Sequence, residues 1–437
     1  MHREVDTEAR GKRYTRKSVI LLFLFTFLSL SLSLIYNIQN IGNNDFYTYL
    51  AILVVVVLST ITVGRITRAD NILLMIVNML FAIGVAMIYR LNPAYGKRQL
   101  QFYLVGMVLF FLTFFILKAF KFWKNISWIY VAASIGLFVA TLVFGSYIGG
   151  AKNWIILGPV TVQPSEFTKI ALAFFIASFY SNYNQFAVKP FGRYYMNFII
   201  YVFIGFLFLQ KDLGTALIFF GLMILAQFVY EKDRFLITLN IVAMIFGSIL
   251  AYFMFGHVRV RVASWLDPWS DINVTGYQIT QALFATASGG LFGTGIGLGH
   301  PDYIPVAESD FIFSAITEEM GVFMGIAVVL LFMILVYRAF KISLTQQDRF
   351  FSILAFCIGV LFAIQTFIIL GGVLKIIPLT GVTLPFISQG GSSMLSGFIL
   401  LGCLQYCATE IKYGDEIDEW EEKTNSQKTH IKQNGCR

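Results

Sequence analysis

The sequence predicts an all-α membrane protein, a polytopic bundle of about twelve spanning helices. Hydrophobic residues make up 57% of the 437 residues and charged residues only 13%, and the mean hydropathy is +0.74. A soluble domain of this length carries about twice that charged fraction. Apolar runs long enough to cross a bilayer as a helix recur along the chain, and the alternating pattern of a membrane β-barrel is absent from the sequence.

Apolar segments define the predicted spans in chain order. They run over residues 18–36, 47–63, 71–89, 102–117, 128–144, 167–180, 196–209, 213–230, 235–255, 311–337, 351–370 and 384–404. The first is too long for a cleaved signal peptide, and no small-residue cleavage site follows it, so we expect a retained anchor. The sixth and seventh are short, which predicts tilted helices or a locally thinned bilayer.

The distribution of lysine and arginine predicts that both termini lie in the cytoplasm, because cytoplasmic loops are enriched in these residues. With the N-terminus inside, roughly 23 of the 32 basic residues fall on the cytoplasmic side, counting both tails. The connecting segments 149–163, 210–212, 256–308 and 371–382 then face outside. Most of the unusual polar residues lie in or beside these segments, so we expect a site at the outer face.

Several basic residues lie on the predicted outer side, against the general enrichment of lysine and arginine on the cytoplasmic side. They are Lys97, Arg98, Lys152, Lys211, Arg259, Arg261 and Lys375. Cations at the outer interface can clamp a phosphate or diphosphate head group, arginine by a bidentate fork. The alternative is that long basic side chains simply snorkel to the headgroup region. The sequence leaves both interpretations open.

Asp310 is the strongest candidate for a catalytic group. We expect Ser309 to cap the tenth span and Asp310 to lie in its first turn, where the helix dipole favours a carboxylate. Such a carboxylate at a water-accessible mouth can act as a general base or hold a divalent cation such as Mg²⁺ or Mn²⁺. An ordinary helix-start aspartate is the alternative. Glu318 and Glu319 lie deeper and cannot both face the same way, so we expect one of them to support the structure through buried hydrogen bonds.

Charged residues also occur at the starts of two other spans. Glu166 and Lys169 are spaced i, i+3, which places them on one helix face where they can neutralise each other. This spacing predicts either a buried ion pair that fixes helix packing or a role with substrate. Asp212 precedes the eighth span, where capping of the helix N-terminus is the favoured interpretation.

Glycines and the remaining reactive residues suggest no cofactor. The loop glycines Gly289, Gly290, Gly293, Gly295, Gly297 and Gly299 follow no strand, so a dinucleotide-binding motif is not favoured. Close backbone approach, or a re-entrant or interfacial segment, is the better interpretation. The four cysteines and four histidines have no ligand spacing, so we expect no structural metal and no disulfide.

Taken together, the motifs resemble the Shape, Elongation, Division and Sporulation family, the group that contains FtsW, RodA and SpoVE. The resemblance extends over roughly 87–405. The matching residues are Lys97-Arg98-Gln99-Leu100, Gly150-Ala151-Lys152-Asn153-Trp154-Ile155, Gln163-Pro164-Ser165-Glu166 with Lys169, Asp212-Leu213-Gly214-Thr215, Trp265-Leu266-Asp267-Pro268, Gly276-Tyr277-Gln278, Gly295-Ile296-Gly297-Leu298-Gly299, Ser309-Asp310-Phe311-Ile312-Phe313 with Glu318-Glu319, and Leu384-Pro385-Phe386-Ile387-Ser388-Gln389-Gly390-Gly391-Ser392-Ser393.

The resemblance implies a peptidoglycan glycosyltransferase that polymerises lipid II into β-1,4 glycan strands, in elongation, division or sporulation. It places the catalytic carboxylate on Asp310 and a buried acid–base pair on Glu166 and Lys169, with Asp212, Glu318 and Glu319 in support. Together with the outer cations it predicts a set of substrate-binding residues: Lys97, Arg98, Lys152, Trp154, Lys211, Arg259, Arg261, Gln278, Ser392 and Ser393. It also implies a class B penicillin-binding protein as partner and leaves a divalent cation open.

The resemblance implies a division of the chain around a ten-span core. We expect a basic cytoplasmic segment over 1–17, two additional spans over 18–66, and the catalytic core over 71–408 with a large extracellular loop at 256–308. A polar cytoplasmic tail covers 409–437.

This chain departs from the usual pattern at Asn153, Lys211 and Gln389, where the family often has Arg, Pro and Tyr. A flippase for a lipid-linked precursor and a non-catalytic scaffold for a transpeptidase remain as alternatives. The flippase alternative predicts broken helices and charges near the membrane midplane, and the scaffold alternative leaves Asp310 without a role.

Overall fold

The computed structural model describes residues 2–36, 43–67, 69–158, 160–188 and 191–409. Helices dominate this part of the chain. They are α1 (His2–Tyr36), α2 (Asn43–Thr67), α3 (Asn71–Leu91), α4 (Pro93–Ala119), α5 (Ser127–Phe144), α6 (Pro164–Ser181), α7 (Tyr183–Ala187), α8 (Tyr195–Leu209), α9 (Leu213–Tyr230), α10 (Arg234–Met254), α11 (Gly256–Leu266), α12 (Tyr277–Ser288), α13 (Ile312–Thr345), α14 (Arg349–Val373) and α15 (Gly391–Thr409).

Within the described residues, 11 helices are long and apolar enough to cross a membrane. The prediction of a polytopic helical bundle is therefore confirmed. The sixth predicted span forms helix α6 but is not among the 11, because Glu166, Lys169 and its hydroxyl residues make it less apolar. The polar tail over 409–437 falls almost wholly outside the described residues, as does the basic start of the chain at the level of side chains.

The interior of the bundle is built from α3, α6, α14 and α15, whose side chains are mostly buried. Helices α1, α5 and α10 keep most of their apolar side chains exposed. A helix that is apolar on all sides is suited either to a protein core or to lipid. The exposed apolar faces of the outer helices therefore form the surface that meets the acyl chains.

A buried polar network joins α2, the second of the two additional helices, to the bundle. The Asn78 side-chain amide on α3 donates to Thr60 Oγ1 on α2 at 2.7 Å and to Ser59 Oγ at 3.1 Å. The Tyr103 hydroxyl on α4 donates to Asn78 Oδ1 at 2.7 Å. Because no water competes for these groups inside a bilayer, such bonds hold neighbouring helices in one register. Helix α2 is thus packed as part of the bundle.

A small sheet breaks the all-α pattern, and the sequence did not predict it. Strands β1 (Ser146–Ile148), β2 (Ala151–Leu157) and β3 (Val160–Val162) pair antiparallel in the order β1-β2-β3 within the 149–163 segment and its flank. Gly149 and Gly150 supply the positive φ values of 59° and 86° at the β1–β2 turn, as a two-residue hairpin turn requires. The Lys152 N–H donates to the Gln210 carbonyl at 2.8 Å, which ties the sheet to the α8–α9 turn.

Helix α13 is broken at Gly321, whose φ of 82° and ψ of 170° are not helical. The break frees the carbonyls of Glu318 and Glu319 and the N–H groups of the two residues after Gly321. The glycine loop 289–299 takes all of these groups: Thr294 and Gly295 donate to Glu318 and Glu319 at 2.9 and 3.0 Å, while Val322 and Phe323 donate to Gly290 and Leu291 at 3.0 and 3.3 Å.

This exchange explains why the loop is rich in glycine. A Cβ on Gly293 would overlap the Glu319 carbonyl, and a Cβ on Gly321 would overlap the Leu291 carbonyl. Non-helical backbone within a membrane protein is tolerated only where its polar groups are satisfied internally. The predicted close backbone approach is therefore confirmed.

Candidate functional site

A cavity of about 1480 Å³ opens at one end of the bundle, where the segments predicted to face outside converge. Its walls come from the β-sheet, the α8–α9 turn, helix α11, the segment before α13 and the α14–α15 loop, with α9 and α10 along its apolar side. Sequence-distant loops therefore meet around one space because their helices end at the same level.

Asp310 lines this cavity, but not as the first-turn residue that the sequence predicted. Helix α13 begins at Ile312 after Phe311, which makes no side-chain capping bond. Instead, the Ser388 hydroxyl donates to the Ser309 carbonyl at 2.6 Å and the Gln389 N–H donates to the Glu308 carbonyl at 2.8 Å. These bonds from the α14–α15 loop hold the backbone outside the helix, so the expected Ser309 cap is wrong.

The Asp310 carboxyl group is more buried than it would be in an exposed first helical turn. Burial raises the pKa of the carboxyl group, while a hydrogen bond from Ser309 Oγ at 3.1 Å and the nearby Arg261 charge oppose that rise. Glu308 adds to the rise because it carries the same charge. A carboxylate with a raised pKa accepts a proton more readily than an exposed one, which suits a general base.

Arg261 lies beside Asp310 across Gly381. Its Nη1 donates to the Thr380 carbonyl at 2.8 Å. A Cβ built on Gly381 would lie 3.4 Å from Arg261 Nη2 and 3.5 Å from Asp310 Oδ2, so this glycine lets both groups face one point. Burial lowers the pKa of Arg261, and the charges of Asp310 and Asp212 raise it. The arrangement places a guanidinium fork next to a carboxylate at the cavity wall.

Asp212 is saturated with hydrogen bonds. Its Oδ1 accepts from the Thr215 N–H at 3.2 Å, which confirms the predicted cap of α9. Its Oδ2 accepts from Asn153 Nδ2 at 3.2 Å, Gln163 Nε2 at 3.3 Å and Ser165 Oγ at 3.1 Å. The carboxylate therefore joins β2, α6 and α9 at the edge of the cavity, and Asn153 contributes to this junction.

The ion pair expected from the i, i+3 spacing is present and buried. Lys169 Nζ lies 2.8 Å from Glu166 Oε1, and both side chains are almost fully buried. Lys169 also donates to Gln365 Oε1 at 3.0 Å, and the Ser396 hydroxyl donates to Glu166 Oε2 at 2.7 Å. The pair thus links α6 with α14 and α15. Glu166 lines the cavity floor.

The cavity includes only part of the predicted substrate-binding set. Among the residues that line it are Trp154, Lys211, Arg261 and Gln278. The lining does not include Lys97, Arg98, Lys152, Arg259, Ser392 or Ser393.

Local geometry explains two of these differences. Lys152 Nζ donates to the Leu142 carbonyl at 2.6 Å at the end of α5, which turns the ammonium away. Arg259 is exposed and stands two positions before Arg261, so it projects from the opposite side of α11. Helical periodicity thus separates the two arginines that the sequence grouped together.

Glu318 and Glu319 both make buried structural contacts, which agrees with the supporting role predicted for them. Glu318 Oε1 accepts from the His300 N–H at 2.8 Å, and Glu319 Oε2 accepts from the Gly297 N–H at 3.0 Å. Glu319 Oε1 also lies 2.7 Å from Arg90 Nε. Both carboxylates reach the same segment because the glycine loop wraps around the helix break. Neither is part of the cavity lining.

Sequence reasoning missed several residues of the cavity wall. Gln163, His257, Thr380, Gly381 and Gln389 all line it. For four of them the usable signal was their position in segments expected to face outside: Gln163 ends the 149–163 segment, His257 lies at the head of the large loop, and Thr380 and Gly381 lie in the 371–382 segment. Gln389 lay inside the predicted span 384–404, so its position gave no such signal. Their side chains carry no spacing pattern, because they approach one another only in three dimensions.

A divalent cation has limited protein ligands here. In the part of the chain that the structure describes, no three His, Cys, Asp or Glu side chains gather to hold a metal. Asp212 already accepts four hydrogen bonds. Mg²⁺ is often held by one or two carboxylates together with substrate phosphates. Of the two cavity aspartates, Asp310 rather than Asp212 could act as such a carboxylate ligand.

The helical bundle and its carboxylate–guanidinium cavity define a multi-pass membrane protein with an enzyme-like site at one end. Comparison with known sequences agrees: residues 69–413 match the FtsW/RodA/SpoVE family, described as "Cell cycle protein". The chain therefore belongs to the FtsW/RodA/SpoVE family. The matched range begins after α2, so the two additional helices lie outside it.

Several relatives cover most of the chain. It is 33% identical over 363 residues to peptidoglycan glycosyltransferase RodA of Mycobacterium tuberculosis, covering 77% of each chain. It is 33% identical over 359 residues to stage V sporulation protein E of Bacillus subtilis, covering 77% of this chain and 96% of that protein. A probable peptidoglycan glycosyltransferase FtsW of Trichlorobacter lovleyi is 33% identical over 366 residues, covering 80% and 95%.

Solved structures share the fold. One, reported as "Structural coordination of polymerization and crosslinking by a peptidoglycan synthase complex", has a TM-score of 0.63 and 26% identity, covering 77% of this chain and 97% of that chain. The rod shape determining protein RodA of Thermus thermophilus has a TM-score of 0.57 and 25% identity, covering 77% and 96%.

Proposed function

We propose that this protein polymerises lipid II into β-1,4 glycan strands at the outer face of the cytoplasmic membrane, with Asp310 as the general base. The enzyme class follows from the family: the protein is a peptidoglycan glycosyltransferase. The observation that carries the proposal is the placement of Asp310 and Arg261 on either side of Gly381 at the wall of a large cavity.

The chemistry assigns a task to each side chain. Asp310 accepts the proton of the acceptor sugar hydroxyl while that oxygen bonds to the anomeric carbon of the donor. The bond from that carbon to the lipid diphosphate breaks, and the diphosphate leaves with the electron pair. Arg261 and Lys211 line the cavity and offset the charge that develops on the leaving group. No separate strong acid is needed, because a diphosphate is a good leaving group.

The cavity also suits lipid-linked substrates. Its apolar wall includes Tyr201, Phe208, Met244 and Phe246 of α8 and α10, and its polar wall is formed by the loops. A prenyl chain can lie along the helices while the diphosphate and sugars reach the polar end. The orientation, with this end outside and both termini in the cytoplasm, is supported by the bias of basic residues.

Two further components belong to the proposal. A divalent cation, Mg²⁺ or Mn²⁺, would be held by Asp310 together with the phosphates of the substrate. A class B penicillin-binding protein would crosslink the glycan product, which the fold shared with a component of a polymerising and crosslinking complex supports.

Purified protein and purified lipid II provide the test. Asp310→Asn should lower glycan polymerisation by roughly 10² or more, because it keeps the shape and removes the base. Asp271→Asn is the matched control: it is the same change within the large loop, away from the cavity lining, and should retain activity.

Near-normal polymerisation by folded Asp310→Asn protein would remove Asp310 from the mechanism. A wild-type protein that moves lipid II across a bilayer but makes no glycan would favour the flippase alternative. A wild-type protein that neither transports lipid II nor makes glycan, yet binds a transpeptidase, would favour the scaffold alternative. The names of the relatives give neither alternative support.

A further inference from the structure

His257 has an unusual position at the cavity wall. It lies in the first turn of α11, on the same face as Arg261 one turn later. Its ring stacks on Phe255 with centroids 5.6 Å apart and an interplanar angle of 26°. A Cβ on Gly150 would lie 3.7 Å from the imidazole Cγ, so the β1–β2 turn lies beside the ring. Phe255 and the β1–β2 turn therefore border the imidazole, and His257 lines the cavity.

Two cations flank this imidazole. Arg261 follows it on α11, and Lys211 of the α8–α9 turn is close enough for its charge to act on the imidazole. Lys211 Nζ lies 6.0 Å from the centroid of the Phe255 ring on which His257 stacks. Both cations also line the cavity. The three side chains therefore form a basic cluster, defined here as His257, Lys211 and Arg261, on one side of the space.

Within the described residues, neither ring nitrogen of His257 makes a hydrogen bond. Burial and the charges of Arg261 and Lys211 lower the pKa of His257. Around it, the Lys152 ammonium of the β-sheet is bonded to the Leu142 carbonyl, while Asp212 and Asp310 act on Arg261. The ring is thus neutral near pH 7 and available to a ligand.

We propose that His257 is a third contact for the diphosphate of the lipid-linked donor and that it takes up a proton when this diphosphate binds. The inference rests on the proposed function. A diphosphate esterified at both ends carries two negative charges and has no proton to exchange near neutrality. Bound among Lys211 and Arg261, it cancels their repulsion of an imidazolium and accepts a charge-assisted hydrogen bond from it.

The linkage has a definite sign. The pKa of His257 is low in the free protein and higher in the complex, so binding is tighter at low pH. Affinity rises as the pH falls through the window between the two pKa values, and one proton is taken up per ligand bound there. Outside that window the affinity is independent of this group. Lysine or arginine alone would give no such dependence near neutrality.

The probe is lipid II that lacks the 4-hydroxyl of its terminal sugar, which binds as a donor and cannot act as an acceptor. Titration calorimetry in buffers of different ionisation enthalpy measures the protons taken up. Wild-type protein should take up about one proton per ligand within the window. His257→Gln keeps a hydrogen-bonding side chain without its charge, and should take up none and bind several-fold more weakly at the low-pH end.

His300→Gln is the matched control, since His300 belongs to the same large loop, is exposed and stacks on Tyr303 away from the cavity. It should behave as the wild type. Polymerisation of ordinary lipid II by His257→Gln should show a raised KM that has lost the dependence on pH due to this imidazole.

Proton uptake that persists in His257→Gln would overturn the inference. So would an absence of uptake in wild-type protein that nevertheless polymerises lipid II, and in that case the proposed function would stand. A wild-type protein that makes no glycan would instead contradict the proposed function itself.

Discussion

At the scale of single residues, the same charged side-chain types serve different purposes according to what contacts them. Asp212 accepts four hydrogen bonds and joins three elements, whereas Asp310 accepts one from Ser309 and faces the cavity. Glu319 is bonded to Arg90 and the Gly297 N–H. A carboxylate whose lone pairs are used is structural, and one that retains free lone pairs beside a cation can do chemistry.

The buried ion pair gives a prediction at this scale. Glu166→Ala or Lys169→Ala leaves its partner charged and buried, which should cost ~3–5 kcal/mol of stability. The double variant that combines Glu166→Leu with Lys169→Met removes both charges and should recover folded yield and thermal stability better than either single change. Thermal unfolding in detergent measures this.

The single and double variants also separate structure from catalysis. A double variant that folds well yet makes no glycan would assign Glu166 a role at the cavity beyond packing. If both single variants unfold at the wild-type temperature, the pair contributes nothing to stability, contrary to the geometry.

At the scale of elements, the break in α13 and the glycine loop form one unit. The loop replaces the helical hydrogen bonds that the break removes, and Arg90 on α3 holds the loop through the Gly299 carbonyl at 2.9 Å. The segment held in this way leads directly to Asp310. Next to Arg90, Tyr89 packs against Tyr49 of α2 with ring centroids 4.4 Å apart, so α2 supports the same end of α3.

Two glycines of this loop provide a matched pair of variants. Gly293→Ala should destabilise the protein strongly, because its φ is 86° and the new Cβ would overlap the Glu319 carbonyl. Gly290→Ala also has a positive φ, 54°, but its Cβ would meet nothing within 4 Å, so it should cost only ~1–2 kcal/mol. Thermal unfolding and lipid II polymerisation should both fall further for Gly293→Ala. Equal effects of the two changes would argue against the close backbone contact.

At the scale of the whole molecule, four segments predicted to face outside (149–163, 210–212, 256–308 and 371–382) meet at one end. Contacts at the opposite end join segments predicted to be cytoplasmic, as when Arg338 Nη2 lies 2.9 Å from Asp70 Oδ1. Because a spanning helix reverses the side of the chain at each crossing, this sorting constrains the topology. The excess of lysine and arginine in the segments at the opposite end indicates that this opposite end is cytoplasmic.

Labelling in intact cells tests the orientation. Asn273→Cys lies exposed in the large loop and should react with an impermeant thiol reagent, whereas Leu344→Cys, exposed at the other end of α13, should react only after permeabilisation. Cys357, Cys403 and Cys407 are buried, so replacing Cys436 alone should give a low background. The reverse labelling pattern would place the cavity in the cytoplasm and contradict polymerisation outside.

The sequence by itself determined the helical membrane fold and the candidates Asp310 and Glu166–Lys169. These depend on composition, on hydrophobic length and on local spacing, which are properties of neighbouring residues. Only the tertiary structure decided that Arg261 lines the cavity while Arg259 does not, that Ser388 and Gln389 hold Asp310 outside its helix, and that His257 stands beside two cations. Those relationships join residues far apart in the chain, and they arise because helices that end at one level bring their loops around a common space.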